Sequence, residues 1–149
     1  MRQIAVLLVS AAVALAADGI DVYSAKDLAA LERQLDQRRS PFASKDLARY
    51  GNHYTMLAFR EATGSAEVHE HETDLFVVES GEATLLSGGT VVSPRIEKAG
   101  EIRGASIQGG QRRRLAAGDI VHIPARVPHQ LLIDKGQKFA YFVLKVTGQ

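Results

Sequence analysis

The 149 residues carry 18 Lys and Arg against 17 Asp and Glu, a near-neutral balance that argues against a polyanion-binding surface. Cysteine is absent, which excludes disulfides, thiolate metal ligands and cysteine nucleophiles. Tryptophan is absent too, so an aromatic platform for sugars or nucleic acid is not expected, while a hydrophobic share of 46% supplies the core of the one domain that this length predicts.

Met1-Arg2-Gln3 offers one positive side chain, and Ile4 to Ala17 is apolar apart from Ser10. That run falls short of the ~20 residues a membrane span needs. Ala14-Leu15-Ala16 fits the small-x-small pattern cut by signal peptidase. Residues 1–17 are therefore expected to be a signal peptide, and the mature chain to be exported, periplasmic or secreted, with no stable membrane insertion after processing. An uncleaved anchor or a buried helix is the alternative.

Residues 18–51 read as an N-terminal helical segment. Ser24 and Asp27 resemble a capping box, and Leu28, Leu31 and Leu35 repeat as one apolar helical stripe that Ser40-Pro41 ends. That helix packs on the outside of the domain or on a partner subunit. Phe42 to Tyr50 is expected to add a further helical turn before Gly51.

From His53 the period changes to two: His53, Thr55, Leu57 and Phe59 share one strand face, and Tyr54, Met56, Ala58 and Arg60 the other. Short strands are predicted at about 66–71, 75–79, 83–87, 90–92, 112–116, 120–123, 129–133 and 138–146, with turns at Gly88-Gly89, Gly109-Gly110 and Asp134-Lys135-Gly136. Residues 93–107 form the longest irregular stretch. Short strands without intervening helices make residues 52–149 an all-β sandwich or barrel. Tyr54 and Met56 are read as core or interface, and the Arg112-Arg113-Arg114 run as a solvated or subunit-facing edge.

The histidines carry the chemistry. His69 and His71, two apart, would share one face of an unbroken strand and chelate a single cation. Asp74 joins them only if a turn at Glu72-Thr73 resets the phase; Glu72 or a water is the alternative. Gly118 to His129 reads as a turn, a buried strand and a bend fixed by Pro124 and Pro128 that delivers His129. Three imidazoles and a carboxylate suit a divalent transition ion: Fe, Mn, Ni, Cu or Zn. His53 and His122 are weak candidates for proton transfer, each also readable as an ordinary strand residue. Gln130 points either into the site or away from it.

On these residues the chain resembles a single-domain cupin over roughly Tyr54 to Val146. The family's first motif runs Gly, five residues, His-x-His, three or four residues, Glu, six residues, Gly. Here Gly64 precedes His69-Glu70-His71 by four residues, Asp74 follows after two, and Gly81 follows Asp74 after six. The second motif runs Gly, five residues, Pro-x-Gly, two residues, His, three residues, Asn. Gly118, Pro124 and His129 match it, with Arg126 and Ile133 in place of the Gly and the Asn.

The resemblance implies an all-β double-stranded β-helix, the cupin jelly-roll barrel, preceded by a short helix. It also implies a divalent metal held by His69, His71, Asp74 and His129, and a homodimer with a small-molecule ligand as partner. The function expected from it is an exported metal-binding cupin, a small metal-dependent enzyme of oxygenase, isomerase or lyase type acting on a small oxygen-rich molecule. The alternative is a non-enzymatic periplasmic cupin that binds a ligand or metal. Fold alone does not choose between them.

Overall fold

The computed structural model describes residues 19–149; the expected signal peptide over residues 1–17 lies outside them. Helix α1 (Ala25–Asp36) begins at Ser24, whose side chain accepts from the Asp27 amide while the Asp27 carboxylate turns back to the Ser24 amide, so the capping box is formed. Leu35, 1% exposed, packs with Leu28 and Leu31 against Ala43, Leu57, Phe59 and Ala140. The helix thus covers the outside of its own barrel, pinned at its rim by Ser80 on Glu32 and Lys138 on Asp36. No helix among the described residues is long and apolar enough to cross a membrane.

Twelve strands follow: β1 (Phe42–Arg49), β2 (His53–Arg60), β3 (Ala66–His69), β4 (Glu72–Ser87), β5 (Thr90–Val92), β6 (Arg95–Lys98), β7 (Glu101–Gly104), β8 (Ser106–Gln108), β9 (Gln111–Ala116), β10 (Ile120–Ile123), β11 (His129–Leu132) and β12 (Phe139–Thr147). The expected extra helical turn at Phe42–Tyr50 is instead β1, antiparallel to β2. Its residues are good helix formers, and a register shift between Asp46 and Ala48 interrupts the alternation that marks a strand. Pairing along the edge of β2 overrides the local preference.

The stretch expected to be irregular holds β6, β7 and β8. Their sequence hides them because β6 is exposed throughout, and the buried positions of β7 at its two ends are Glu101 and Gly104.

The strands at 75–79 and 83–87 are one continuous β4, and this strand organises the molecule. Its first half lies between β12 and β10, in a sheet completed by β2 and β1. Its second half lies between β9 and β11, in a sheet completed by β3, β7 and β6. The change of sheet falls at Gly81, whose φ is +76°, next to a register shift against β12. A side chain there would collide with the Lys138 carbonyl. β5 and β8 make a separate two-stranded ribbon.

Between the two sheets lies the main core, with Phe76, Val78, Phe139, Tyr141 and Val143 facing Ala83, Leu85, Leu115 and Leu131. The fold is the double-stranded β-helix that the resemblance implies. Following the inward rows toward one end, apolar residues give way to charge: Val78 and Phe76 lead to Asp74 on β4, and Tyr141 and Val143 lead to Lys145 on β12.

Two backbone positions yield opposite expectations. Gly81→Ala should destabilise by about 2 kcal/mol or more, combining a left-handed backbone with a backbone clash. Arg126 holds φ +69° in the bend before β11, where the second motif has glycine. Arg126→Gly keeps the amide that bonds the His69 carbonyl and should stabilise by about 1 kcal/mol. Urea melts of both variants check these signs, and an unchanged midpoint in either overturns its assignment.

Candidate metal centre

Four acidic or imidazole side chains converge at the charged end of the barrel. Glu67 and His69 project inward from β3, Asp74 from β4 and His129 from β11. Glu67, His69 and His129 place one donor atom each within 4.8 Å of one another. Glu67 Oε2 lies 3.5 Å from His69 Nε2 and 3.7 Å from His129 Nε2. Asp74 Oδ2 lies 3.4 Å from His69 Nε2 and 3.9 Å from His129 Nε2. Donor atoms about 2.0–2.2 Å from a shared ion stand roughly 3–4 Å apart, so these spacings fit one.

The remaining polar atom of each group is already engaged. His69 Nδ1 faces both oxygens of Glu101, at 2.7 and 2.8 Å. His129 Nδ1 donates to the Val127 carbonyl at 3.0 Å. These contacts fix the ring orientations and leave both Nε2 atoms for the centre, as the outer partners of metal-bound imidazoles do. Glu67 Oε1 is held by Arg60 at 3.3 Å and by Arg103, leaving Oε2 facing inward. Arg103 also reaches Glu101 at 3.3 Å and Glu97 at 3.1 Å. Asp74 Oδ1 accepts from the Lys145 ammonium at 2.6 Å, and the same ammonium is 3.0 Å from His69 Nε2. The donor set, two imidazole nitrogens and two carboxylate oxygens, therefore suits a divalent ion.

Electrostatics follow from this packing. Burial works to raise the Glu67 carboxyl, but His129, His69, Arg60 and Arg103 outweigh it and hold it well below the usual carboxylate range. Asp74 is lowered in the same way, burial being overcome by His69 and Lys145. Burial disfavours a charge on His69, yet Asp74 and Glu67 outweigh both burial and the opposing Lys145 ammonium and lift the imidazole to about 9.

The centre opens into a cavity of about 480 Å³. Tyr54 and Met56, expected in the core or an interface, line it together with Phe42 and Val143. The Tyr54 hydroxyl donates to Glu72 at 3.2 Å, and burial first, then Glu72, pushes this phenol well above its ordinary range.

Of the residues expected from sequence, His69, Asp74 and His129 are brought together and His71 is not. β3 ends at His69, whose successor's amide turns aside to the Gly100 carbonyl, and His71 is exposed. The assumption of an unbroken strand through residue 71 fails there. Glu67 takes the place two residues before His69, and with it the spacing closes. From its His-x-His onward the first motif's intervals are met by Glu67-x-His69, four residues, Asp74, six residues, Gly81, with Glu67 where the family has its first histidine. The leading glycine has no counterpart, since Glu61 stands at its place and Gly64 precedes Glu67 by only two residues.

Glu72, the alternative carboxylate, lies 3.6 Å from Lys145 on the cavity wall and forms with His69 and Glu101 a second group whose donor atoms lie within 4.8 Å of one another. His53 stacks on Tyr50, 4.4 Å between ring centroids, on the face of β2 away from the cavity. His122 is exposed on β10, opposite Leu75. Gln130 turns away and donates to the Gly64 carbonyl at 2.8 Å. Glu67, Glu101, Arg103 and Lys145 belong to no motif that the sequence displays.

No family model matches the chain, and no curated protein matches it. Solved structures do. An uncharacterized conserved protein with a double-stranded beta-helix domain from Klebsiella pneumoniae is 15% identical, with a TM-score of 0.58 over 86% of this chain and 90% of its own. The cupin domain of Schizosaccharomyces pombe Cnp3 is 7% identical, with a TM-score of 0.55 over 73% of this chain and 66% of its own. The DMSP lyase DddQ from Ruegeria pomeroyi is 21% identical, with a TM-score of 0.51 over 71% of this chain. The chain spans 47% of that lyase's length. These likenesses identify the fold.

The His69 environment sets a pH dependence for the metal-free protein. Its folded value of about 9 exceeds the ordinary 6.5, so the charged ring stabilises the fold fully below about 6.5. That contribution disappears as pH rises through about 9. The melting temperature of chelator-treated protein should therefore fall between those two values, and the fall should vanish in His69→Gln. A flat profile in the wild type sinks the assignment.

Proposed function

The chain folds as a single cupin domain, and on that premise we propose that it is a metal-binding cupin with Glu67, His69, Asp74 and His129 as ligands. The observation that carries this reading is the tying of both Nδ1 atoms, by Glu101 and the Val127 carbonyl, which leaves the two Nε2 atoms facing two carboxylate oxygens. An ion held there would act as a Lewis acid toward a chelating oxygen of a bound small molecule.

The chain's own residues supply the rest. Phe42, Met56 and Val143 give the cavity an apolar wall, while Arg60 and Arg103 keep Glu67 ionised and in place. Tyr54, which keeps its proton, and Glu72 form a hydrogen-bonded pair on the wall next to Lys145, suited to moving a proton on a bound substrate. This favours lyase or isomerase chemistry on a small oxygen-rich molecule over oxygen activation. The DMSP lyase among the structural neighbours supports the same class. The second reading, a cupin that holds a ligand or metal without turnover, is favoured by the Lys145 ammonium resting on Asp74 and His69. The leader-like residues 1–17 favour export, which the N-terminal mass of the mature chain would check.

Elemental analysis of tag-free protein tests the centre. Wild type should hold about one divalent ion per chain. His129→Ala and Glu67→Ala should lose it, while His71→Ala and His122→Ala should keep it. Equal content in all five proteins, or loss in His71→Ala alone, overturns the ligand set. Proton exchange into small hydroxy acids by the loaded wild type, absent in Tyr54→Phe, would separate catalysis from passive binding.

A further inference from the structure

Lys145 interrupts an otherwise apolar inward row on β12, directly across from Asp74 in the strand register. Its side chain is 12% exposed, and its ammonium touches two of the four donor groups: Asp74 Oδ1 at 2.6 Å and His69 Nε2 at 3.0 Å. In its neutral, ion-binding form His69 Nε2 has one lone pair, because Nδ1 donates to Glu101. That nitrogen serves either the lysine or an ion. A divalent cation beside the ammonium would also meet strong like-charge repulsion in this part-buried setting.

The lysine has somewhere to go. Glu72 Oε2 lies 3.6 Å from Nζ in the starting position, on the open cavity side, and is already hydrogen-bonded by Tyr54. Resting on the metal reading above, we propose that Lys145 is a two-position tethered cation. It holds Asp74, beside His69, when the centre is metal-free, and it moves onto Glu72 when a divalent ion enters. The donor set is thereby kept compact without metal, and the ion must displace a built-in competitor.

Titration calorimetry of chelator-treated protein with Mn²⁺ tests this. Lys145→Met removes the charge at similar length, and its thioether is a poor ligand for so hard an ion. It should bind Mn²⁺ roughly tenfold or more tightly than wild type. Lys145→Arg, which keeps the charge, should not. Glu72→Gln, which weakens the second position, should bind roughly fivefold more weakly than wild type, and this loss should vanish in the Lys145→Met background.

Lys145→Gln, still able to donate to Asp74, replaces the methionine variant if that one melts below the assay temperature. Equal or weaker binding by the neutral variants overturns the proposal while leaving the metal reading intact. A Glu72→Gln loss that persists without the lysine makes Glu72 a ligand and also overturns it. Mn²⁺ binding by none of these forms overturns both readings together.

Discussion

The centre depends on a division of labour within each of its side chains. Glu67 gives one oxygen to Arg60 and Arg103, Asp74 gives one to Lys145, His69 gives a nitrogen to Glu101, and His129 gives a nitrogen to the Val127 carbonyl. What each has left faces the others. Isolated charges buried at this depth would cost several kcal/mol apiece, so the carboxylates are tolerable only because cations hold them from outside. The network must form as a unit, and its form fixes where the free donor atoms point.

Backbone geometry makes that unit possible. β4 is long enough to belong to both sheets, so Asp74 at one end is rigidly related to the residues that pair with β11 at the other. The bend between Pro124 and Pro128 is tied to β3 directly, Arg126 giving its amide to the His69 carbonyl at 2.7 Å. The strand that carries His69 thus positions the loop that delivers His129. The left-handed Arg126 is the local strain that this close approach exacts, and the surrounding pairing of β11 with both β3 and β4 holds it there.

Much of this was legible in the sequence, for reasons that also explain the gaps. The helix was announced by a capping box and a leucine stripe, two local signals that tertiary structure did not override. β5 and β10 fell where alternation and flanking glycines placed them. β1 and β7 did not, because a bulge broke the alternation of the first, and the second puts a glutamate at a buried position where a core strand normally shows an apolar side chain. At the site, the i, i+2 spacing of His69 and His71 is the stronger metal-ligand signal, although period two places Glu67 on the same face as His69 just as surely. The two-residue gap between His71 and Asp74 is the local sign that the pair facing Asp74 lies two positions earlier, at 67 and 69. Lys145 was invisible for a different reason: within Val143-Leu144-Lys145-Val146 it looks like the last solvated residue of an edge, and only pairing with Asp74 shows that the row it ends runs into the barrel.

Replacing an imidazole by Glu67 alters more than geometry. Two carboxylates and two imidazoles carry the charge that neutralises a divalent ion, where three imidazoles and one carboxylate leave it net positive. An ion held here would be a milder Lewis acid, and the oxygen-rich set would favour harder ions such as manganese over copper. Attraction for an anionic molecule would then have to come from the protein rather than from the ion. The guanidiniums of Arg60 and Arg103 are spent on Glu67 and Glu101, so the cationic groups left on the cavity wall are the ammoniums of Lys98 and Lys145. The same substitution that weakens the centre's own pull on an anion therefore increases the importance of these two ammoniums, of which Lys145 is the one that touches the donor groups.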